Sequence, residues 1–152
     1  MNLKNERYII LEIIPTSPNP SKGDIAQICA LKINGIKLED RFNYRLNKDK
    51  INIPDILNMV NYDNDKFDYV KTTKAMIREF KKFIGDLPLL IIDNSYTNNY
   101  LKDIKNNKES VFKYLNLELS DDVFDIIIKK YKLEPSYYLV DILYEALIKE
   151  ID

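Results

Sequence analysis

The chain contains no histidine, which removes Ser-His and Cys-His nucleophile pairs and histidine-ligated zinc at one stroke. Carboxylates, tyrosines and lysines are the acid-base groups that remain, so metal-assisted chemistry, or none, is what the composition allows. The single cysteine, Cys29, sits inside an apolar strand-like run and reads as a small buried hydrophobe. Disulfide frameworks and cysteine-rich metal sites are excluded. Three carboxylates stand out by position: Glu12, which interrupts an apolar run; Asp93, which follows another; and Asp141, four residues after Tyr137. Residues four apart on a helix share a face, so Tyr137 and Asp141 are candidates to act together. Each also has a bland reading. Glu12 could be a strand-end carboxylate paired with a lysine, and Asp141 a helix residue satisfied by a tyrosine hydroxyl, in a chain with 11 tyrosines where such a spacing arises easily by chance.

The elements that must position these residues follow from periodicity. Residues 7 to 14 are almost continuously apolar, as suits a central strand buried on both faces. Three prolines, Pro15, Pro18 and Pro20, then impose an irregular loop. A second strand covers about 24 to 33, and Asn34-Gly35 is a hairpin signal into a third strand through Phe42 to Leu46. The polar stretch 47 to 67 reads as a surface connection. Between Tyr69 and Ile84, Val70, Ile77 and Ile84 recur at helical spacing, flanked by Thr73, Met76, Phe80 and Phe83, and Gly85 is a natural stop. Pro88 to Ile92 is a short buried strand, and Tyr96 to Ile104 a helix after it. The weakly patterned residues 105 to 120 hold at most a short strand near Val111 to Leu115. Two helices follow, one capped by Asp121 or Asp122 and one opening at Glu134-Pro135-Ser136, the latter with Leu139, Ile142, Leu143, Ala146 and Leu147 as an apolar stripe. Alternating strands and helices predict an α/β fold.

At 152 residues and 45% hydrophobic content the chain suits one domain, residues 1 to 152, with a sizeable core. A net charge of -1 and a pI near 5.6 exert no global pull on nucleic acid. The only early apolar run is too short to span a bilayer and no cleavage signal follows it, so a soluble, cytoplasmic protein without membrane contact is expected.

The segments Tyr8-Ile9-Ile10-Leu11-Glu12-Ile13-Ile14-Pro15-Thr16-Ser17 and Gly23-Asp24-Ile25-Ala26-Gln27-Ile28-Cys29-Ala30 resemble the opening hairpin of the DEDD family of 3′→5′ exonucleases, where one strand ends Asp-x-Glu-Thr-Thr-Gly and the next begins Ile-x-Gln-Ile-Gly-Ala. Ile53-Pro54-Asp55 is similar to the Ile-Pro-Pro stretch before that family's middle helix, and Phe80-Lys81-Lys82-Phe83-Ile84-Gly85 to its ending. Pro88 to Thr97 resembles the strand and motif Val-x-His-Asn-Ala-x-Phe-Asp, and Tyr137 with Asp141 matches the tyrosine form of the third motif, Tyr-x-x-x-Asp. The resemblance covers most of the chain and implies a proofreading-type, ribonuclease H-like exonuclease fold: a mixed sheet that opens with three antiparallel strands and is flanked by helices.

Members of that family hydrolyse phosphodiesters with two divalent metals, held by four acids beside a histidine or tyrosine base. Two doubly charged ions about 4 Å apart clamp the attacking and leaving oxygens, yet repel by roughly 4 kcal/mol even at water's dielectric. Four carboxylates offset that repulsion. Here Glu12 and Ile14 stand where the first motif needs Asp and Glu, Thr97 or Asn98 where the second needs Asp, and Asp93 where it has histidine. The resemblance therefore implies a degenerate domain, inactive and retained to bind a protein or, weakly, a nucleic acid. Glu12, Tyr137 and Asp141 are then vestigial catalytic positions, Thr16 and Asn94 substrate-binding ones, and no cofactor is expected. The alternative is a divergent metal-dependent 3′→5′ exonuclease on single-stranded DNA or RNA, with Mg or Mn on Glu12, Asp93 and Asp141 and a water oriented by Tyr137. One further feature bears on partners: Lys71, Lys74, Arg78, Lys81 and Lys82 line the outer side of the middle helix, as a solvated face or a phosphate-tracking stripe.

Overall fold

β1 spans Arg7–Pro15, and Tyr8 through Ile13 are all buried, as expected of a central strand covered on both sides. A computed structural model describes residues 1–17, 21, 23–47, 49, 66–136 and 138–152; Ile53-Pro54-Asp55, Pro18, Pro20 and Tyr137 lie outside them. β1 pairs antiparallel with β2 (Ile25–Asn34), and β2 antiparallel with β3 (Lys37–Leu46). The hairpin turn falls one residue later than the Asn34-Gly35 dipeptide suggests. Asn34 pairs with Lys37, which leaves Gly35-Ile36 as the turn, with Gly35 at φ +65°. A Cβ there would lie 2.7 Å from the Lys4 carbonyl oxygen, so the turn requires glycine.

Short strands extend the sheet on both sides. β4 (Asp68–Val70) runs parallel to β3, β5 (Leu89–Ile91) parallel to β1, and β6 (Lys108–Ser110) parallel to β5, giving the order β4-β3-β2-β1-β5-β6. Among the described residues the helices are α1 (Thr73–Ile84), α2 (Ser95–Leu101), α3 (Val111–Leu115), α4 (Val123–Tyr131) and α5 (Leu139–Ile151), beside one 3-10 turn at Leu3–Asn5. The expected α/β sheet, opening with three antiparallel strands and flanked by helices, is the fold observed.

Several boundaries differ from the periodicity reading. Tyr69 and Val70 belong to an edge strand, because the Thr72 hydroxyl accepts the Ala75 amide at 3.0 Å and starts the helix only at Thr73. Val111–Leu115 is a helix and not a strand: Ser110 caps it, and Val111, Phe112 and Leu115 bury together at helical spacing. The last helix starts at Leu139, not near Pro135. Glu134 and Pro135 are exposed, and only from Val140 onward does the segment have an apolar face to bury. α2 stops at Leu101, three residues short of Ile104. Gly85 does end α1, at φ +54°.

Strand alternation sends the core to both sides of the sheet. Ile9, Leu11 and Ile13 meet Met76, Phe80 and Ile84 of α1 and Leu101 of α2. Tyr8, Ile10, Leu31 and Ile33 meet α3, α4 and α5 through Phe112, Ile127, Leu143 and Leu147. Among the described residues no helix is long and apolar enough to cross a membrane.

Candidate functional site

Glu12 faces the same side of the sheet as Tyr8 and Ile10, toward α5, because side chains two apart on a strand share a face. Register then places its neighbours. Glu12 lies opposite Cys29, and Cys29 opposite Asn43; the row toward the strand's end is Ile14, Gln27, Arg45, and the row before it Ile10, Leu31, Arg41. A polar layer thus crosses three central strands beneath α5. In it, the Arg45 guanidinium is fully buried, donates from Nε to Gln27 Oε1 at 2.8 Å and lies 3.6 Å from the centre of the Phe67 ring. Gln27 in turn donates from Nε2 to Cys29 Sγ at 3.2 Å.

Arg41 reaches across to α5. Its two terminal nitrogens donate to both oxygens of Asp141, at 2.6 and 3.2 Å, a bidentate fork of the kind that guanidinium and carboxylate geometry favours. Asp141 is therefore held by an arginine; Tyr137 lies outside the described residues. Tyr144, one turn further on, donates its hydroxyl to the Ile36 carbonyl.

Glu12 is only 8% exposed, and among the described residues no hydrogen bond or ion pair reaches its carboxyl group. The lysine partner that a strand-end carboxylate would have is absent there. Burial raises its pKa from about 4.5 to about 7. Cys29 sits at the centre of the layer: burial pushes its thiol well above the usual range, the nearby Glu12 and Asp141 push in the same direction, and Arg45 and Arg41 push against them. Asn43 Oδ1 is buried with no hydrogen-bond partner among the described residues. Tyr96, from the first turn of α2, feels the same carboxyl group: burial raises its pKa first, the Glu12 charge adds to that, and a hydrogen bond with Asn94 opposes both.

The remaining sequence candidates are engaged locally. Thr16 Oγ1 accepts the Asp24 amide at 2.7 Å, and the Thr16 amide donates to the Asp24 carbonyl, closing the loop between β1 and β2. Asn94 caps α2, its Oδ1 accepting the Thr97 amide at 2.9 Å. Asp93 is exposed and accepts from Asn98 Nδ2 at 2.9 Å. Thr97, where an aspartate would stand in the second motif, is buried. The structure thus brings Glu12 and Asp141 into one polar layer around Cys29 and leaves Asp93 at the surface. Among the described residues no group of three or more acidic or cysteine side chains comes together where it could hold a metal ion.

Arg41, Asn43, Arg45 and Gln27 were not among the sequence candidates. Their only signal is alternation: in β3, Phe42, Tyr44 and Leu46 are apolar on one parity, so Arg41, Asn43 and Arg45 read as the solvent side. On that side Arg45 is buried against the Phe67 ring, while Arg41 stays exposed and reaches Asp141 of α5.

No protein-family model matches this chain, and no curated protein matches it. Solved structures of exonuclease I do. An exonuclease I complex with an inhibitor superposes with a TM-score of 0.62 at 10% identity, covering 97% of this chain and 41% of that one. The zinc-bound form of the E. coli exonuclease I complex with single-stranded DNA gives 0.60 at 10% identity over 97% and 40%, and an exonuclease I/SSB-Ct complex 0.60 at 10% over 97% and 41%. The chain therefore has an exonuclease-like, ribonuclease H-like fold, and spans about two fifths of the proteins it resembles.

Proposed function

We propose that this domain is a degenerate relative of the DEDD-family exonucleases that has kept the fold, lost catalysis, and acts by binding a protein or nucleic-acid partner. The observation that carries this is the fork of Arg41 onto both oxygens of Asp141. A guanidinium there supplies the positive charge that a metal would bring, with both carboxylate oxygens already committed. The other donors do not fit a metal pair either. Glu12 is a buried carboxyl group that is largely protonated below about pH 7, Asp93 is turned to Asn98 at the surface, and the position of the second acid in the first motif is Ile14, facing Gln27. With Arg45 buried beside them, the layer is internally charge-compensated and has no carboxylates in surplus to offset the repulsion between two divalent ions. Glu12, Asp141 and Tyr137 are read as vestigial positions, and Thr16 and Asn94 as former substrate contacts now used to hold the loop and the helix. Binding, in this reading, is what a fold without its site is kept for.

The test is turnover of single-stranded DNA and of RNA in magnesium or manganese, compared between the parent and the double variant Glu12→Ala, Asp141→Ala. Both are expected to be inert. Robust degradation by the parent that disappears in the double variant overturns this reading in favour of a divergent metal-dependent exonuclease.

A further inference from the structure

Two exposed surfaces, on opposite sides of the sheet, carry opposite charge around apolar carbon. The first is the outer face of α1, whose inner face packs on Ile9, Leu11 and Ile13. It carries a groove of about 570 Å³ lined by Lys74, Ile77, Arg78, Lys81 and Lys82. Only Lys82 has a carboxylate partner, Glu79 at 3.4 Å; among the described residues no ion pair reaches the other three cations. The second surface lies where α3 leads into α4, on the other side of the sheet, with Val123 and Ile127 in the core beneath it. There Glu118, Asp121, Asp122 and Asp125 are all exposed, and no lysine or arginine occurs between Lys113 and Lys129. Among the described residues no ion pair reaches any of these four carboxylates. Leu119 and Ile126, in the same stretch, are 43% and 40% exposed, so two large apolar side chains stand among the acids.

We infer that these surfaces are the two halves of one contact, through which the chain joins a second copy of itself head to tail. Leu119 and Ile126 of one copy lie over Ile77 and the methylene stems of the other copy's α1, and four carboxylates face four cations. Each surface by itself crowds like charges: Lys74 with Arg78 and Arg78 with Lys82 are one helical turn apart, as are Asp122 and Asp125, an arrangement that costs stability until opposite charge is brought to it. The net charge of -1 leaves little long-range repulsion to keep copies apart. Because the surfaces lie on opposite sides of the sheet, one neighbour cannot occupy both. The contact is therefore heterologous: it leaves a free groove at one end of a pair and a free acidic surface at the other, and growth stays open. Neither surface includes Glu12 or Asp141, so the association does not depend on whether the domain is catalytic.

The test is sedimentation velocity on the full chain at up to about 100 μM, a range in which small polar contacts associate, in about 50 mM and about 500 mM salt, which screen surface charge to different extents. The parent is expected to exceed the dimer mass at low salt and to return to the 18.0 kDa monomer at high salt. A groove variant, Lys74→Gln with Arg78→Gln and Lys81→Gln, and an acidic-surface variant, Glu118→Gln with Asp121→Asn and Asp125→Asn, are each expected to stay monomeric alone. Mixed, they hold one complete contact between them, the acidic surface of the first on the groove of the second, and are expected to form a one-to-one dimer and nothing larger. Ile126→Ser, which leaves the charge unchanged, is expected to weaken association of the otherwise unaltered chain severalfold. A parent that stays monomeric at low salt, a parent that stops at a closed dimer, either charge variant associating as the parent does, or a mixture that stays monomeric or grows past the dimer each overturns the inference.

Discussion

The two faces of the sheet solve the same burial problem in different ways. Under α1 and α2 the contact is apolar throughout: Ile9, Leu11, Ile13, Ile28 and Ala30 against Met76, Phe80 and Ile84, with Phe42 set among the rings of Tyr44, Phe80 and Phe83. Under α5 the same strands present an apolar half, Tyr8, Ile10 and Leu31, that gives way along each strand to Glu12, Cys29, Gln27, Asn43, Arg41 and Arg45. Burying a carboxyl group and a guanidinium is costly unless each is well paired, and hydrophobic replacements of similar volume are often neutral or stabilising. Stability alone therefore does not account for the second face. What that face does show is arginines meeting the polar groups beside them: Arg41 on Asp141 and Arg45 on Gln27.

That contrast can be broken most forcefully on the apolar face. Phe80→Ala removes a fully buried ring that packs edge-on to Phe42, and is expected to cost about 3–5 kcal/mol by urea unfolding, as large-to-small core changes do. The loss should be similar at pH 5 and pH 8, because burial raises the pKa of Tyr44, the tyrosine ring stacked on Phe42 there; a loss that depends strongly on pH would mean that the two faces are not separable.

The polar face should respond to pH instead. Glu12 has a folded-state pKa of about 7 against about 4.5 in the unfolded chain. Below pH 4.5 it is protonated in both states and has no effect. As pH rises from 4.5 to 7 the unfolded state ionises while the folded state resists, so stability falls by about 1.4 kcal/mol per pH unit, or about 3 kcal/mol in all, and then levels off. Glu12→Gln should abolish this loss and be more stable than the parent at pH 8. Parallel pH profiles for parent and variant would show that Glu12 is ionised and solvated in the folded protein.

The smallest effect belongs to the edge of that layer. Arg41 and Asp141 have side chains 37% and 27% exposed, so solvent screens much of their attraction. Asp141→Asn should cost about 1 kcal/mol, and Arg41→Ala combined with Asp141→Asn little more than either alone. Additive losses in that double-mutant cycle would mean that the fork contributes nothing as a pair.

How far the sequence went can be read residue by residue. Continuous apolar character set β1 as a central strand, Gly35 and Gly85 marked a turn and a helix end, and the helical spacing of Val70, Ile77 and Ile84, flanked by Met76 and Phe80, and of Leu139, Ile142, Leu143, Ala146 and Leu147 marked α1 and α5, although Val70 falls in β4 and the face α1 buries is Met76, Phe80 and Ile84; each of these signals is local, a φ value that favours glycine or a period of 2 or 3.6. The layout of motifs around Glu12 and Asn94 resembled an exonuclease hairpin and middle strand, and the observed fold agrees with that resemblance. The three-residue strands β4 and β6 were not legible, since strands that short carry no period and exist only because β3 and β5 offer them a partner. Nor could the sequence say which way Arg41, Asn43 and Arg45 would face. Their alternation distinguishes two sides of a strand but not which side is covered, and that was decided by α5 folding back across the sheet to bring Asp141 to an arginine 100 residues away in the chain.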